Sequence, residues 1–247
     1  MPRPRVPDRR GRILAAAREL LLASGWAHVT VADVAARAGI GKGAVYLEFS
    51  GKPAILEAVL VRAARGLTAA VHARVLDAPG LVDLPTVYRF GVEALLDEPV
   101  MRALYLGDET VLGDHVHEVA DDRYVRRMAW LADYVDDLQR AGVLDASAPA
   151  GTVVRMLGMF TLGMVHAPGV LGGTSATELS AAVGLFADVV GRGLAPDAPA
   201  DPEAARAAQL ALLRRLDEQL DVLGRADEPA DRPADRPADR PTNKGAR

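Results

Sequence analysis

Apolar residues recur at intervals of three and four along most of this 247-residue chain, and no segment alternates apolar and polar residues over a sustained stretch. The first such run contains Ile13, Leu14, Ala17, Leu20 and Leu21. This spacing puts apolar side chains on one face of an α-helix, whereas a half-buried strand needs alternation. Aromatic residues, which favour strands, make up only 4% of the chain. The sequence therefore predicts an all-α protein.

Glycine, proline and capping residues mark where the helices begin and end. Thr30 is a candidate N-cap with Asp33 three residues later, and Gly39 ends the helix that follows. Pro53 occupies the first helical position, which proline favours. The predicted helices are 12–25, 31–38, 42–49, 53–75, 85–97, 99–107, 118–142, 150–167, 176–194 and 202–223.

The C-terminal residues repeat Ala-Asp-Arg/Glu-Pro over 226–241. Proline at every fourth position is incompatible with a helix, and the repeat offers no large apolar side chain to bury. We therefore expect 225–247 to be a disordered tail. Its composition favours a solvated extension over a partner-binding segment.

Charge is distributed unevenly along the chain. The first 65 residues contain eleven Lys/Arg and five Asp/Glu, a net charge of +6. Since the whole chain carries −4, the remainder carries −10. A basic segment joined to an acidic body indicates that the first part meets a polyanion.

The absence of cysteine excludes disulfides, thiolate metal sites and cysteine nucleophiles, and it suits a reducing cytoplasm, where we expect the protein to act. The N-terminal MPRPRVPDRRGR lacks the apolar core of a secretory signal. The best membrane candidate, 157–165, is about ten residues long, while a span needs roughly twenty. We expect no membrane association.

Two short predicted helices are joined by Gly39, Ile40 and Gly41, which is the length and composition of a helix-turn-helix. Gly39 can adopt the left-handed conformation that ends a helix, and Gly41 can serve as the next N-cap. In the following helix Val45 and Phe49 share one face for packing. The small Gly43 and Ala44 permit a close approach to a groove wall, and Lys42 and Tyr46 can reach phosphates or base edges.

Residues 30–56 read TVADVAARAGIGKGAVYLEFSGKPAIL. Together with the helix before it, this stretch resembles the DNA-binding domain of the TetR (tetracycline repressor) family, which reads close to T-V-x-D-I-A-x-x-A-G-V-S-K-G-T-L-Y-x-Y-F-x-S-K-E-A-L. By that resemblance, Thr30 and Lys52 contact phosphates and the intervening helix enters the major groove. Gly41 stands where the family has serine, and Leu47 and Glu48 stand where it often has a polar or aromatic residue. The expected DNA-binding residues are Thr30, Gly41, Lys42, Gly43, Ala44, Tyr46, Leu47 and Lys52. We expect Glu48 to turn away from the bases.

The resemblance also implies a domain organisation and partners. It implies a homodimer, paired through helices at about 150–167 and 176–194, that binds a double-stranded DNA operator and responds to a small, apolar or aromatic effector. Arg3, Arg5, Arg9 and Arg10 would form a mobile basic arm. The expected divisions are a basic arm at 1–11, a three-helix helix-turn-helix DNA-binding domain at 12–58, an effector-binding and dimerisation domain at 59–224, and the tail.

Most of the bulky side chains lie in the middle helices, where an effector pocket is expected. Each one alone is more simply explained as ordinary core, since Met fills irregular gaps in many cores. As a set they favour an apolar or aromatic ligand. The candidates are Tyr105, Met128, Trp130, Tyr134, Met156, Met159, Phe160, Met164 and His166.

Two other kinds of site are disfavoured. The segment 114–118 has the sequence Asp-His-Val-His-Glu, but His-x-His on a helix directs its rings to different faces, so we predict no metal site and no cofactor. The sequence has no nucleophile elbow, P-loop or dinucleotide-binding motif, which argues against an enzyme. A helical adaptor that has lost DNA binding is the other alternative, because Leu47 and Glu48 depart from the family pattern.

Overall fold

The structure is a computed structural model that describes residues 8–106, 108–113, 122–171, 175–197 and 200–227. These residues form helices and connecting turns and contain no strand, so the all-α prediction is confirmed. The helices are α1 Arg9–Ser24, a 3-10 turn Trp26–His28, α2 Val31–Arg37, α3 Lys42–Tyr46, α4 Lys52–Leu76, α5 Leu84–Asp97, α6 Pro99–Leu106, α7 Glu109–Leu112, α8 Asp122–Arg140, α9 Ala150–Leu171, α10 Ala176–Gly193 and α11 Pro202–Asp227.

The first helix begins three residues earlier than the sequence predicted. Asp8 is the N-cap, and its carboxylate accepts a hydrogen bond from the backbone N–H of Gly11 at 3.0 Å. Aspartate is a favoured N-cap residue because it satisfies one of the orphan N–H groups of the first turn. Arg9 and Arg10 therefore belong to α1, and the expectation that they form part of a mobile arm is wrong. The rest of that arm, 1–7, lies outside the described residues.

Three other helix ends differ from the sequence prediction by three or four residues. Helix α3 ends at Tyr46 instead of residue 49, and its last turn closes with hydrogen bonds from the N–H groups of Glu48 and Phe49 to the carbonyl of Val45. Helix α9 continues to Leu171, past the expected end at 167. Helix α11 reaches Asp227, so the first residues of the expected tail are helical; the tail beyond 227 lies outside the described residues.

Buried apolar side chains form two clusters. The first joins α1, α2, α3 and the start of α4, and it also includes Val100, Met101 and Leu112 from α6 and α7. The second joins α5, α8, α9, α10 and α11 to the rest of α4. Helix α4 thus contributes to both clusters, and the proposed domain boundary at 58/59 lies inside it. Throughout the described ranges, each helix is too short or too polar to span a lipid bilayer.

Helices α5 and α11 pack directly on α4, and α8, α9 and α10 pack on these or on one another. Helix α11 lies along α4, α8 packs on α9, and α10 packs on α5. At the other end, α7 packs on the 3-10 turn. This contact is close, because a Cβ added at Gly25, which has φ 75°, would lie 2.1 Å from the carbonyl oxygen of Thr110. The sequence predicted neither the 3-10 turn nor α7.

Candidate nucleic-acid interface and ligand cavity

The turn between α2 and α3 has the predicted geometry. Gly39 has φ 66°, the left-handed conformation that favours glycine. The N–H of Gly39 donates to the carbonyl of Ala36, and the N–H of Ile40 donates to that of Ala35. Gly41 is the N-cap of α3 with φ −72° and ψ 145°, a conformation open to any residue. The turn therefore requires glycine at 39, whereas at 41 glycine only lacks the capping oxygen of serine.

One face of α3 and of the turn after it is buried and the other is exposed. Val45 is 1% exposed and Phe49 is 4% exposed, and both belong to the first cluster. On the opposite side Lys42 is exposed, Tyr46 is 49% exposed and Leu47 is 55% exposed. A large apolar side chain is usually buried, so the exposure of Tyr46 and Leu47 beside a lysine indicates a contact surface. Of the remaining expected DNA-binding residues on α3, Gly43 is exposed and Ala44 is half-buried.

Thr30 and Lys52 lie at the two elements that flank α3. Thr30 is exposed and caps α2 through a complete capping box with Asp33, as predicted. Its hydroxyl and N–H both donate to the Asp33 carboxylate, and these bonds hold the pKa of Asp33 below its ordinary value. Lys52 begins α4, where its Nζ donates to the carbonyl oxygen of Ala27 at 3.3 Å and lies 5.4 Å from the centre of the Trp26 ring.

Several arginines of the basic N-terminal segment make contacts within the protein. Arg12 donates to the carbonyl oxygen of Ala38 at 2.6 Å, which places a cation at the C-terminal end of α2. Arg18 pairs with Glu98 at 3.0 Å. Arg37 of α2 pairs with Glu19 of α1 at 2.6 Å. Three of the eleven cations in the first 65 residues are therefore engaged within the protein.

The start of α1 supports the end of α3. The Nε atom of Arg9 lies 3.1 Å from Glu48, and the guanidinium of Arg10 lies 4.4 Å from the centre of the Phe49 ring. Glu48 is thus engaged inside the protein, in keeping with the expectation that it turns away from the bases. Sequence reasoning did not assign Arg9 and Arg10 to this role. The sequence signal that could have shown it is Asp8, because an N-cap at this position makes α1 begin at Arg9.

A second candidate site is a cavity of about 130 Å³ between α4, α5, α6, α8, α9 and α11. Its walls are mostly aliphatic. Their polar side chains are Thr68, Tyr88, Tyr105, Thr161 and Gln219, and no Asp, Glu, Lys, Arg or His from the described part of the chain lines it. Burial raises the pKa of Tyr88 to about 12, because a phenolate is poorly solvated there.

The nine expected pocket residues have different locations. Tyr105 lines the cavity. Tyr134 is fully buried and donates to the carbonyl oxygen of Val82, while Phe160 stacks on Phe186 and Met164 is buried, so these three are core residues. The side chains of Met128, Trp130 and His166 lie outside the described part of the structure, as do Asp114–Glu118. Met156 and Met159 are 40% and 65% exposed and are not among the residues that line the cavity, which corrects their assignment to this pocket.

Both helices that were expected to pair in a dimer carry exposed apolar side chains. On α9 these are Met156 and Met159, spaced three residues apart. On α10 they are Leu185 and Val189, spaced four apart, with 64% and 56% of their surfaces exposed. Each pair occupies a single helical face. Large apolar side chains clustered in this way on a helix surface are typical of an interface.

Comparison with known proteins gives matches to the helix-turn-helix region and to the fold. Residues 13–59 match the family described as bacterial regulatory proteins, tetR family. An uncharacterised HTH-type transcriptional regulator, TtgW of Pseudomonas putida, is 43% identical over 53 residues; the match spans 22% of this chain and 40% of that protein.

Two solved structures share the fold over most of their length. A Syntrophomonas wolfei protein assigned to the TetR family has a TM-score of 0.61 and 17% identity, covering 76% of this chain and 96% of that one. The fatty acid degradation regulator FadR of Bacillus halodurans has a TM-score of 0.58 and 15% identity, covering 77% and 98%. The helix-turn-helix region of this chain, residues 13–59, is therefore similar to the N-terminal domain of the tetR family of bacterial regulatory proteins.

Proposed function

We propose that this protein is a homodimeric, ligand-responsive transcriptional repressor that acts in the cytoplasm. The observation that carries the proposal is the two-sided α3. Buried Val45 and Phe49 hold it to its domain, and Lys42, Tyr46 and Leu47 are presented to solvent. A short helix held in this way is what a major-groove contact requires, with Thr30 and Lys52 for the phosphates on either side.

The exposed apolar faces of α9 and α10 support the homodimer. A twofold interface uses the same surface on both subunits, so two faces of this chain suffice to form a four-helix contact. The dimer would place two copies of α3 in successive major grooves, about 34–36 Å apart. The operator would accordingly be a pseudo-palindrome.

The cavity supports the response to a ligand. Its walls include Leu67, Thr68 and Val71 of α4, the helix that begins at Lys52 beside α3. If α4 can adopt two positions, a ligand that binds one of them more tightly increases the fraction of dimers in that state. When that state has an α3 separation that does not match the operator, fewer dimers can bind DNA. The ligand would thereby release the operator.

The decisive experiment is selection of DNA fragments from a random pool by the full-length protein, followed by sequencing. We expect an enriched palindrome whose affinity falls steeply with salt concentration, because phosphate contacts release counterions. Tyr46→Ala should abolish the enrichment, while Leu76→Ala, a change at an exposed apolar residue at the far end of α4, should preserve it. If the wild-type protein enriches no palindrome, the adaptor alternative is favoured and the repressor proposal fails.

A further inference from the structure

The chemistry of the cavity walls restricts what can occupy the cavity. A charged ligand would leave water for aliphatic walls that offer it no ionic partner, and an unpaired buried charge is very costly. The raised pKa of Tyr88 reflects the same penalty acting on the protein's own phenol group. The walls therefore favour an uncharged occupant over a charged one.

The hydroxyl groups of Tyr88 and Thr161 define the polar contact. Their oxygens lie 2.8 Å apart, and the carbonyl oxygen of Leu157 lies 3.2 Å from the first and 2.9 Å from the second. Whichever hydroxyl donates to the other, the two protons are both accommodated among these three oxygens. What the pair retains is acceptor capacity, since each hydroxyl oxygen has two lone pairs. The pair consequently favours a ligand that donates a hydrogen bond.

The volume of the cavity sets the size of the ligand. An engineered apolar cavity of about 150 Å³ binds benzene. The cavity here, at about 130 Å³, has space for one six-membered ring without opening the helices. Long acyl chains and fused ring systems would need a different arrangement of α4, α5 and α9.

We propose that the cavity binds a small uncharged ring compound that carries a hydrogen-bond donor, with phenol as the simplest example, through the hydroxyl groups of Tyr88 and Thr161. That this compound acts as the effector rests on the proposed function, but its binding does not. The proposal assigns the site to Tyr88 and Thr161, neither of which stands out in the sequence.

Calorimetric titration of the full-length protein without DNA at pH 7 tests the ligand class. The probes are phenol, toluene and benzoate, which share a ring and differ in donor and charge. We expect phenol to bind several-fold more tightly than toluene and at least tenfold more tightly than benzoate. An affinity for benzoate within threefold of that for phenol would overturn the assignment of an uncharged ligand. Equal affinities for toluene and phenol would overturn the requirement for a hydrogen-bond donor on the ligand.

Variants test the location. The double change Tyr88→Phe and Thr161→Val should bring phenol and toluene to within about twofold of each other, and its affinity for toluene reports whether the cavity is intact. Tyr134→Phe is the matched control, because this buried hydroxyl donates to Val82 outside the cavity walls. It should leave the preference for phenol unchanged. Retention of the preference in the double variant, or its loss in the control, would contradict the assignment.

A space-filling change gives an independent check. Gly91 lines the cavity, and a Cβ added there meets nothing within 4 Å, so Gly91→Leu can project into the space. We expect this variant to lose measurable binding of both phenol and toluene, and wild-type affinity would place the ligand elsewhere. A protein that selects a palindrome but binds none of the three probes remains a regulator and loses this ligand class. If the protein binds phenol but selects no DNA, the ligand site is supported and the proposed regulatory function fails.

Discussion

Gly39 and Gly43 lie four residues apart and serve different purposes. Gly39 has a positive φ, and a Cβ there would also lie 3.1 Å from the guanidinium of Arg12, so the turn geometry depends on it. Gly43 belongs to α3 and a Cβ there would meet nothing within 4 Å. In the isolated protein glycine at 43 is therefore a cost to helix stability, and its benefit must come from what α3 contacts.

Replacing Gly43 by alanine should separate stability from DNA binding. Alanine is favoured over glycine in helices by up to about 1 kcal/mol, so we expect Gly43→Ala to raise the unfolding temperature by a few degrees. The added methyl group would hold α3 away from the groove wall and weaken operator binding. Thermal denaturation and a binding titration measure the two effects. Unchanged operator affinity in the stabilised variant would show that Gly43 does not face the groove.

Glu48 places a negative charge beside the surface that we assign to DNA. Glu48→Gln removes that charge and releases Arg9, which pairs with it at 3.1 Å. We expect operator affinity to rise and the slope of log affinity against log salt to become steeper by about 1. Glu19→Gln, the control, likewise releases an arginine, Arg37, whose ion pair joins α2 to α1 and not α1 to the end of α3. A steeper slope in both variants would indicate a general effect of net charge.

At the scale of the helices, capping residues were the most reliable local signal in the sequence. The Thr30–Asp33 box was predicted because every interaction in it spans three residues. The 3-10 turn and α7 are too short to show a periodicity, so they were missed. Helix α9 was expected to end before Pro168, since proline removes a backbone hydrogen bond and crowds the carbonyl four residues earlier, but the helix continues to Leu171.

Carboxylates that bond to turns and helix starts make the stability depend on pH. Hydrogen bonds from Thr30, Ser147 and Ser175 hold the pKa values of Asp33, Asp145 and Glu178 below their ordinary values of 3.8, 3.8 and 4.5. A group whose pKa is lowered by folding stabilises the protein above its unfolded pKa, and that contribution is lost as the pH falls through the folded pKa.

We therefore expect the free energy of unfolding to decrease as the pH falls below about 4. The triple change Asp33→Asn, Asp145→Asn and Glu178→Gln should reduce this decrease. Denaturant unfolding at a series of pH values measures it. Asp221→Asn, at an exposed position on α11, is a control for the loss of charge alone. An identical pH dependence in the triple variant and the wild type would rule out the capping carboxylates as its source.

For the whole molecule, the spacing of apolar residues identified the buried face of each helix. It did not show which helices pack against each other. Met156 and Met159 were assigned to a pocket because they are bulky and lie on a central helix, yet they are exposed. Tyr88 and Thr161 were not identified, since their proximity depends on how α5 packs on α9. These distances join residues more than 70 positions apart, and local sequence patterns carry no information on them. By contrast, the α2–α3 site is nearly continuous in sequence and was recognised from its motif.

The exposed residues of α9 and α10 give a test of assembly. Leu185→Glu puts a charge in the middle of the apolar face of α10, and burying it unpaired in an interface would be strongly unfavourable. We expect this variant to be a monomer in sedimentation experiments at a concentration where the wild type is a dimer. Leu210→Glu, which alters an exposed leucine on α11, should remain dimeric. A dimeric Leu185→Glu would exclude α10 as the interface.

Helix α4 supplies side chains to both buried clusters, and α6 and α7 complete the first one. We therefore expect that residues 12–58 would not keep their packing if they were transferred to another protein. An engineer who cut the chain at residue 58 and joined the first piece to the sensor of another regulator would lose the packing of Val100, Met101 and Leu112 against it. Exchange of DNA specificity between such proteins should instead be made by replacing the exposed residues of α3 within the intact chain. The part of the chain to exchange is the exposed surface of α3, and no single cut in the sequence isolates it.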